Sequence, residues 1–476
     1  MGLKRDFSVG VFYTAIAKYS GIVIQLIITA VLARLLTPDD FGVVAVATIL
    51  IQFFNTISEA GIGPAIIQKK NLIQQEICGL FTFTTILGIV LSGLFFLCSP
   101  LIARYYDNES LDSICQWLSL LIFFSSVDIV TNGLLLKQKR FKTIAIRTLV
   151  IQVITGALSI YTAFIGWGMY ALVLSAISSK GLIFIVNYLC NPLKMNLRFG
   201  SVMKIASYSG YQFLFNILNY FSRNLDKLII GKFMGMNQLG YYEKSYRLMM
   251  LPLSNITYVL SPVMHPVFSE MQNERERLLE KYLRLLTIIG CISFPMMAFL
   301  FFDAQELVLI VFGNQWEQSI LPFKILSLTA ALQVLHATTS GIFQAADDTK
   351  GLFISSFLSS LLLIAGFVFA ALIFKTVIAM AISFLITCTL GSFIVFYYLL
   401  KRFDKGLGIL WKTLNIPILL GVAEFIFLWI ATTLIPQLNI FLSLVINAAV
   451  TLIVAVIILW NTPYPNIKEI KKYLHK

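Results

Sequence analysis

Charged side chains inside apolar segments are the residues of this sequence that could do chemistry, and several of them lie between Ser207 and Asn255. Arg223, Asp226, Lys227 and Arg247 fall there, in or beside runs apolar enough to enter lipid. A charge in hydrocarbon is costly, so each of these must face a cavity, a partner or the membrane surface. This stretch therefore predicts a functional site in a membrane-embedded part of the chain.

Polar residues also recur at helical spacing in other apolar segments. Those of the second segment lie on one helix face, at relative positions 0, 3, 4 and 7: Gln52, Asn55, Thr56 and Glu59. The seventh segment repeats the pattern over a longer run: Gln212, Asn216, Asn219, Arg223, then Asp226 and Lys227. Shorter stripes occur in the first and tenth segments: Lys18 and Gln25, and Gln333, His336, Ser340 and Gln344. Four striped helices predict a water-filled cavity between two helix bundles.

Five cations could face such a cavity together: Lys18, Arg34, Arg223, Lys227 and Arg247. They favour an anionic ligand, and a phosphate or pyrophosphate suits arginine best because its guanidinium forms two parallel hydrogen bonds. Glu59 and Asp226 are the candidates for coupling to an ion or a proton.

Several of these charges have a structural alternative. The alternatives are an ion pair of Asp226 with Arg223 or Lys227, pairing of Glu59 with Lys69 or Lys70, and extension of Lys18 and Lys180 to the cytoplasmic surface. Asp128 and Glu424 are isolated acids that a neighbour could hold in place or that could carry a proton.

The composition indicates an integral membrane protein. Of 476 residues, 58% are hydrophobic and 12% are charged, with a mean hydropathy of +0.85, whereas about 25% of a soluble protein is charged. Long continuous apolar runs favour spanning helices over the alternating strands of a membrane barrel. The net charge of +13 fits basic cytoplasmic loops better than nucleic-acid binding, for which no motif is present.

Fourteen segments are long enough to span a bilayer: Val9–Leu35, Phe41–Ile62, Ile77–Ala103, Ile114–Leu134, Ile144–Ile165, Met169–Leu189, Ile205–Phe233, Tyr246–Phe268, Tyr282–Phe302, Ile320–Gln344, Leu352–Phe374, Val377–Leu400, Ile409–Leu434 and Ile440–Leu459. Lysines and arginines of the connecting loops divide 25 to 5 in favour of the side that holds both termini. That side is therefore predicted to be cytoplasmic.

The chain also repeats itself. Tyr19-Ser20-Gly21 returns as Tyr208-Ser209-Gly210, 189 residues later, and the segment ending at Gly42 returns as one ending at Gly240, 198 residues later. This internal repeat predicts that the chain consists of two related halves. We predict an N-terminal lobe of six spans (residues 1–200), a C-terminal lobe of six (201–404), and two extra spans with a cytoplasmic tail (405–476).

Motifs of the common enzyme classes are missing from the sequence. It contains neither a GxxxxGK[ST] loop nor a glycine-rich dinucleotide fingerprint, and its three histidines form no HExxH pattern. The six cysteines fall in or near apolar runs without a CxxC pair. We expect no enzyme activity, no cofactor and no metal.

Three stretches carry a resemblance to a known family: Ala33–Leu50, Ser58–Leu72 and Asn219–Ile256. They resemble the polysaccharide transporter (PST) branch of the MOP exporter superfamily, in particular the WzxC-type lipopolysaccharide and exopolysaccharide flippases. The resemblance extends from Gly10 to about Leu400.

This resemblance implies an all-α polytopic fold of two six-helix lobes around a central cavity. It also implies a polyprenyl-pyrophosphate-linked oligosaccharide as substrate, moved to the outer leaflet of a bacterial inner membrane by alternating access and driven by an ion gradient. The cavity cations would then hold the pyrophosphate. Beyond this substrate and the bilayer, a polysaccharide polymerase or glycosyltransferases are potential partners.

Two other functions remain open at this point. A multidrug or organic-cation antiporter of the same superfamily would carry mainly acids in its cavity, whereas cations dominate here. A glycan ligase or polymerase would need a large extracytoplasmic loop, and the sequence has none.

Overall fold

The computed structural model describes residues 2–59, 62–69, 72–197, 210–269, 271–272, 274–434 and 439–461. Within these ranges, the side chains of residues 2–12, 64, 210–219, 222, 258–263, 265–267, 269 and 459–461 are not described. The helices are α1 (Gly2–Leu35), α2 (Pro38–Glu59), α3 (Ile62–Gln68), α4 (Gln74–Tyr106), α5 (Ser110–Lys137), α6 (Phe141–Phe164), α7 (Tyr170–Cys190), α8 (Gly210–Phe233), α9 (Met236–Ser269), α10 (Arg275–Phe302), α11 (Ala304–Phe312), a 3-10 turn (Asn314–Ser319), α12 (Ile320–Ser327), α13 (Ala330–Ala337), α14 (Thr339–Ala345), α15 (Thr349–Ile373), α16 (Val377–Lys401), α17 (Gly408–Leu434) and α18 (Ile440–Asn461).

The prediction of an all-helical, multi-pass membrane protein is confirmed. In the described part of the chain, eleven helices are long and apolar enough to cross a bilayer, or twelve if a bent pair counts as one span. The predicted number of fourteen is not confirmed. Helices α8 and α9 are long enough to span, but α8 has three charges within five residues, Arg223, Asp226 and Lys227.

The predicted tenth span is a broken helix. The segments Asn314–Ser327 and Ala330–Ala345 meet at an angle of 51°. At the break, Ser327 Oγ donates to the Lys324 carbonyl over 2.7 Å and Thr329 Oγ1 to the Leu326 carbonyl over 2.7 Å. Hydroxyls that bond back to the preceding turn compete with the helical ladder and favour such bends.

The described contacts divide the chain into two compact units, Met1–Gly240 and Tyr241–Lys476. In the first unit, α4 packs on α5, α1 on α6, and α5 on α7. The short α3 closes this packing on one side, where Ile66 is fully buried against α4 and α5. Hydroxyl bonds join neighbouring helices, as between Ser58 and Ser126 at 2.8 Å. Small polar residues of this kind hold membrane helices together where lipid supplies no hydrophobic drive.

The second unit is built in the same way from α10 with α17 and from α15 with α16. Small residues allow close approach at these pairs: a Cβ on Gly290 would lie 2.8 Å from the Pro417 ring. An i, i+4 ion pair lies near the start of α10, with Arg284 Nη2 2.6 Å from Glu280 Oε1. The boundaries at residues 200 and 404 describe the sequence repeat and stay a prediction.

Candidate functional site

Helix α8, which carries most of the predicted charges, lies directly along α2 in the first unit. The Tyr220 hydroxyl of α8 donates to the Ile49 carbonyl of α2. Phe53 of α2 packs on Phe221 of α8, with ring centroids 5.2 Å apart. The polar face of α2 and the charged end of α8 are therefore on neighbouring helices, as a shared site requires.

Two glycines allow the first turns of α2 and α9 to meet at backbone distance. A Cβ on Gly42 would lie 1.9 Å from the Met236 carbonyl oxygen, and a Cβ on Gly240 would lie 1.9 Å from the Pro38 carbonyl oxygen. A Cβ bond is about 1.5 Å long, so each oxygen is at most about 3.4 Å from the glycine Cα, which is the range of a Cα–H···O contact. The two contacts are reciprocal, and their equivalent residues are 198 positions apart, which is the spacing of the sequence echo.

The end of α8 is also fixed to α4. Lys232 Nζ is 2.7 Å from Asp107 Oδ2 and lies 5.1 Å from the Tyr105 ring centroid. The Tyr106 hydroxyl donates to the Leu228 carbonyl over 3.5 Å. These contacts place α8 between α2 and α4 without using Arg223, Asp226 or Lys227.

The charges of α8 differ in exposure. Arg223 is exposed, whereas Asp226 and Lys227 are 2% and 8% exposed. A bulky anion can reach Arg223 without any rearrangement of the helix. The buried Asp226 and Lys227 are less accessible to a ligand than Arg223 is.

The polar face of α2 is divided in the same manner. Gln52 and Glu59 are exposed. Asn55 is buried, and its Oδ1 has no hydrogen-bond partner among the described residues. Two of the predicted residues are thus open to a ligand and one faces the packed interior.

The remaining predicted site cations of the first unit lie on α1. Lys18 is half-buried, and Arg34 is exposed in the last turn of the helix. Arg34 Nη1 donates to the Ala30 carbonyl over 2.9 Å, a position in which a cation stabilises the negative end of the helix dipole. Arg34 therefore has a local structural role as well as its predicted one.

Arg247 belongs to the second unit, on α9, where it is exposed. One turn before it lies Lys244, which sequence analysis did not single out and which is 1% exposed. Its Nζ is 5.4 Å from the Phe312 ring centroid and 5.5 Å from that of Trp316. Aromatic faces stabilise this buried cation, and an aromatic cluster after a predicted span was the signal available in the sequence.

Three predicted stripe residues, Gln212, Asn216 and Asn219, lie outside the residues whose side chains are described. Their place in the site stays a prediction. Among the described residues, no group of three or more histidine, cysteine or acidic side chains could hold a metal ion.

Asp128 is held by its neighbours, as one of its two interpretations expected. Its Oδ1 accepts from Asn187 Nδ2 over 2.6 Å and from Thr131 Oγ1 over 2.8 Å. Arg147 Nη1 donates to Oδ1 of the same Asn187 amide. Asn187 thus bridges a carboxylate and a guanidinium inside the first unit.

An apolar groove of about 420 Å³ lies between α2, α4 and α8. Its walls are aliphatic and aromatic, including Leu50, Tyr105, Leu228 and Phe233. The predicted cations do not line it, so it suits an acyl or prenyl chain and not a phosphate.

Residues 31–321 match the family described as "Polysaccharide biosynthesis protein". The lipopolysaccharide biosynthesis protein WzxC of Escherichia coli K12 is 26% identical over 359 residues, covering 72% of this chain and 70% of that protein. The succinoglycan biosynthesis transport protein ExoT of Rhizobium meliloti is 22% identical over 309 residues, covering 64% and 62%.

Two solved structures share the fold. The lipid II flippase MurJ, in an inward closed conformation, superposes with a TM-score of 0.75 at 15% identity and covers 94% of this chain and 98% of its own. An inward-facing multidrug resistance MATE transporter of the MOP superfamily gives 0.63 at 15% identity, with 83% and 99% covered. The resemblance carried by the three motif stretches is confirmed, because the matched region covers more than half of the sequence: the chain belongs to the polysaccharide biosynthesis protein family.

Proposed function

We propose that this protein moves a polyprenyl-pyrophosphate-linked oligosaccharide across the cytoplasmic membrane by alternating access. Family membership, with relatives named for lipopolysaccharide and succinoglycan biosynthesis, supports a glycan substrate. A fold shared with a lipid II flippase supports movement of a lipid-linked molecule. The bacterial inner membrane and cytoplasmic termini belong to the same proposal, on the strength of the loop charges.

The observation that carries the proposal is the exposed Arg223 on α8, a helix that packs along α2, on which Gln52 and Glu59 are exposed. A guanidinium that faces hydrocarbon is costly, so an exposed arginine on a membrane helix belongs at a water-filled surface. Such a surface, with a cation that binds two phosphate oxygens at once, is suited to a pyrophosphate.

The remaining members of the predicted site take supporting roles in this proposal. Lys18, Lys227, Arg34 and Arg247 add positive potential for the pyrophosphate. Glu59 is exposed and Asp226 is buried, and both are proposed as coupling groups. A polymerase or a glycosyltransferase that supplies or consumes the glycan is the proposed partner.

The first experiment deletes the gene and locates the lipid-linked glycan in spheroplasts. We expect the polyprenyl-pyrophosphate oligosaccharide to accumulate in the inner leaflet, and to reach the outer leaflet again when the wild-type protein is restored. A normal leaflet distribution in the deletion strain would refute the proposal.

The second experiment tests the site itself. Arg223→Glu replaces an exposed cation with an anion, so we expect glycan export to be lost while the protein still inserts and folds. Arg104→Glu is the matched control, since Arg104 is also exposed and lies near the end of a membrane helix of the same unit. Export that survives Arg223→Glu would remove Arg223 from the site.

A multidrug antiporter is the second candidate, because the MATE fold also matches. It predicts that deletion changes sensitivity to cationic drugs and leaves the glycan distribution unaltered. Glu59 and Asp226 would then be the first residues to neutralise.

A further inference from the structure

Three carboxyl groups of the second unit face one side of the last described helix, α18. That side carries Ser443, Asn447 and Thr451, one helical turn apart. The acids come from different elements: Asp303 at the end of α10, Glu306 in α11 and Glu424 in the middle of α17. Sequence analysis did not single out the first two, which directly follow the predicted end of a span at Phe302.

The contacts pair each acid with one polar residue of α18. Asn447 Nδ2 donates to Asp303 Oδ1 over 2.9 Å. Ser443 Oγ lies 3.4 Å from Glu306 Oε1. The Thr451 hydroxyl lies next to the Glu424 carboxyl, without the geometry of a standard hydrogen bond.

Two of these carboxyl groups are fully buried and Glu306 is half-buried, and each of the three has an oxygen without a hydrogen-bond partner among the described residues. Asp303 and Glu424 are both 0% exposed. Among the described residues, Asp303 Oδ2, Glu306 Oε2 and both oxygens of Glu424 have no hydrogen-bond partner. A buried carboxylate oxygen with no donor is strongly disfavoured, whereas a protonated oxygen is neutral and can itself donate.

The neighbouring helices bring little compensating charge. Helix α18 contains no titratable residue between Ile440 and Ile458. Lys324 of α12 is directed at the Phe301 ring, 5.8 Å from its centroid. Glu317, in the 3-10 turn, is exposed and adds negative charge.

We propose that Asp303, Glu306 and Glu424 form a proton-binding track along α18, with one proton held by the Asp303–Glu306 pair and another by Glu424. Binding converts a carboxylate and a proton from water into a neutral carboxylic acid, and release reverses it. The track runs from Ser443 to Thr451, eight residue steps and about 12 Å along a helix. With the predicted orientation it runs from the outer surface into the membrane.

The chemistry of the site favours a proton over a metal cation. Its polar partners, the Asn447 amide nitrogen and the Ser443 hydroxyl, are hydrogen-bond donors toward the acids. A hard cation instead requires several oxygen ligands around one point. Asp303 lies one residue past the end of a span, and its raised pKa also favours proton binding. Its pKa is raised to about 7, chiefly by burial; the Asn447 hydrogen bond opposes the shift and the negative charge of Glu306 adds to it.

The track would serve the proposed function by coupling transport to a proton gradient. Its physiological role rests on that proposal, but its test does not, because proton binding can be measured on the purified protein without a glycan.

Infrared difference spectroscopy of the full chain in lipid nanodiscs measures the track directly, as the pH is stepped from about 9 to about 5. We expect protonated-carboxyl bands in the wild type. Asp303→Asn and Glu306→Gln should each remove the same band, and Glu424→Gln should remove a different one. Glu317→Gln, which neutralises an exposed acid nearby, should keep every band.

Monodisperse elution from a size-exclusion column is the control that each variant is folded. Ser443→Ala is a milder change, which should shift the band of the Asp303–Glu306 pair without removing it. Bands that persist unchanged in Asp303→Asn and Glu306→Gln would overturn the proposal. So would a wild-type band that sodium chloride suppresses and choline chloride does not, since the site would then bind a metal cation.

Discussion

Gly42→Ala tests one of the two reciprocal backbone contacts of the first unit. The added Cβ would lie 1.9 Å from the Met236 carbonyl oxygen, whereas ordinary contacts of this kind are longer than about 3 Å. The opposing atom belongs to the backbone, so it cannot rotate away, and the two segments must separate by about 1 Å. Overpacking of this kind costs about 1–3 kcal/mol, against which alanine gains about 1 kcal/mol of helix propensity.

We therefore expect Gly42→Ala to lower the free energy of unfolding by up to about 2 kcal/mol. Gly240→Ala should do the same, because its Cβ meets the Pro38 carbonyl oxygen at the same distance. Once one variant has separated the segments, the other clash is relieved, so the double variant should cost less than the sum of the two.

Thermal unfolding of the purified protein in detergent measures these changes, with glycan export as a second readout. Gly93→Ala is the matched control, because Gly93 is a helical glycine whose Cβ would meet nothing within 4 Å. Gly93→Ala should stabilise the protein slightly. If Gly42→Ala unfolds at the same temperature as Gly93→Ala, the reciprocal contact is not as close as described.

Three further predictions follow from single contacts. Asn187→Ala removes a buried amide that bridges a half-buried carboxylate and a half-buried guanidinium, and should cost about 3 kcal/mol in chemical denaturation. Asn191→Ala, at an exposed hydrogen bond, should cost under about 1 kcal/mol. Lys232→Ala breaks a pair whose Asp107 partner is 81% exposed, so its effect should stay below about 1 kcal/mol and vanish in high salt; a larger, salt-independent loss would contradict it. Because the pKa of Asp303 is raised from 3.8 to about 7 by burial, the folded state binds more protons than the unfolded state between those values. Stability should therefore fall as the pH rises from about 4 to 7, and Asp303→Asn should flatten that slope in pH-dependent unfolding.

The helical architecture could be predicted because each span carries its own signal. The predicted segment Val377–Leu400 differs by one residue from helix α16, and the predicted end at Phe302 is the end of α10. The break near Leu328 could not be predicted in the same way. It depends on Ser327 and Thr329 hydroxyls, which bond to the preceding carbonyls, and the same residues also occur in unbroken helices.

The candidate site was only partly predictable, for a different reason. Spacing located the charges of α8 and the polar face of α2, but it did not separate exposed Arg223 from buried Asp226 and Lys227, which are three and four residues away. That difference depends on which neighbouring helix covers each side of α8. A helix face in a membrane can meet lipid, water or protein, and periodicity marks the face without identifying the environment.

The two reciprocal glycines explain physically why the sequence repeats where it does. Gly42 and Gly240 occupy equivalent positions, and each receives a carbonyl oxygen from the residue four positions before the other. Because the two contacts are reciprocal, a side chain at either glycine would push the same two helix turns apart and break both contacts. Glycine is therefore needed at both positions or at neither. The repeat of glycine at these two positions therefore reflects a shared steric requirement. The equivalent cations nearby, Arg34 in one half and Lys232 in the other, are under no such requirement and contact different partners, the Ala30 carbonyl and Asp107.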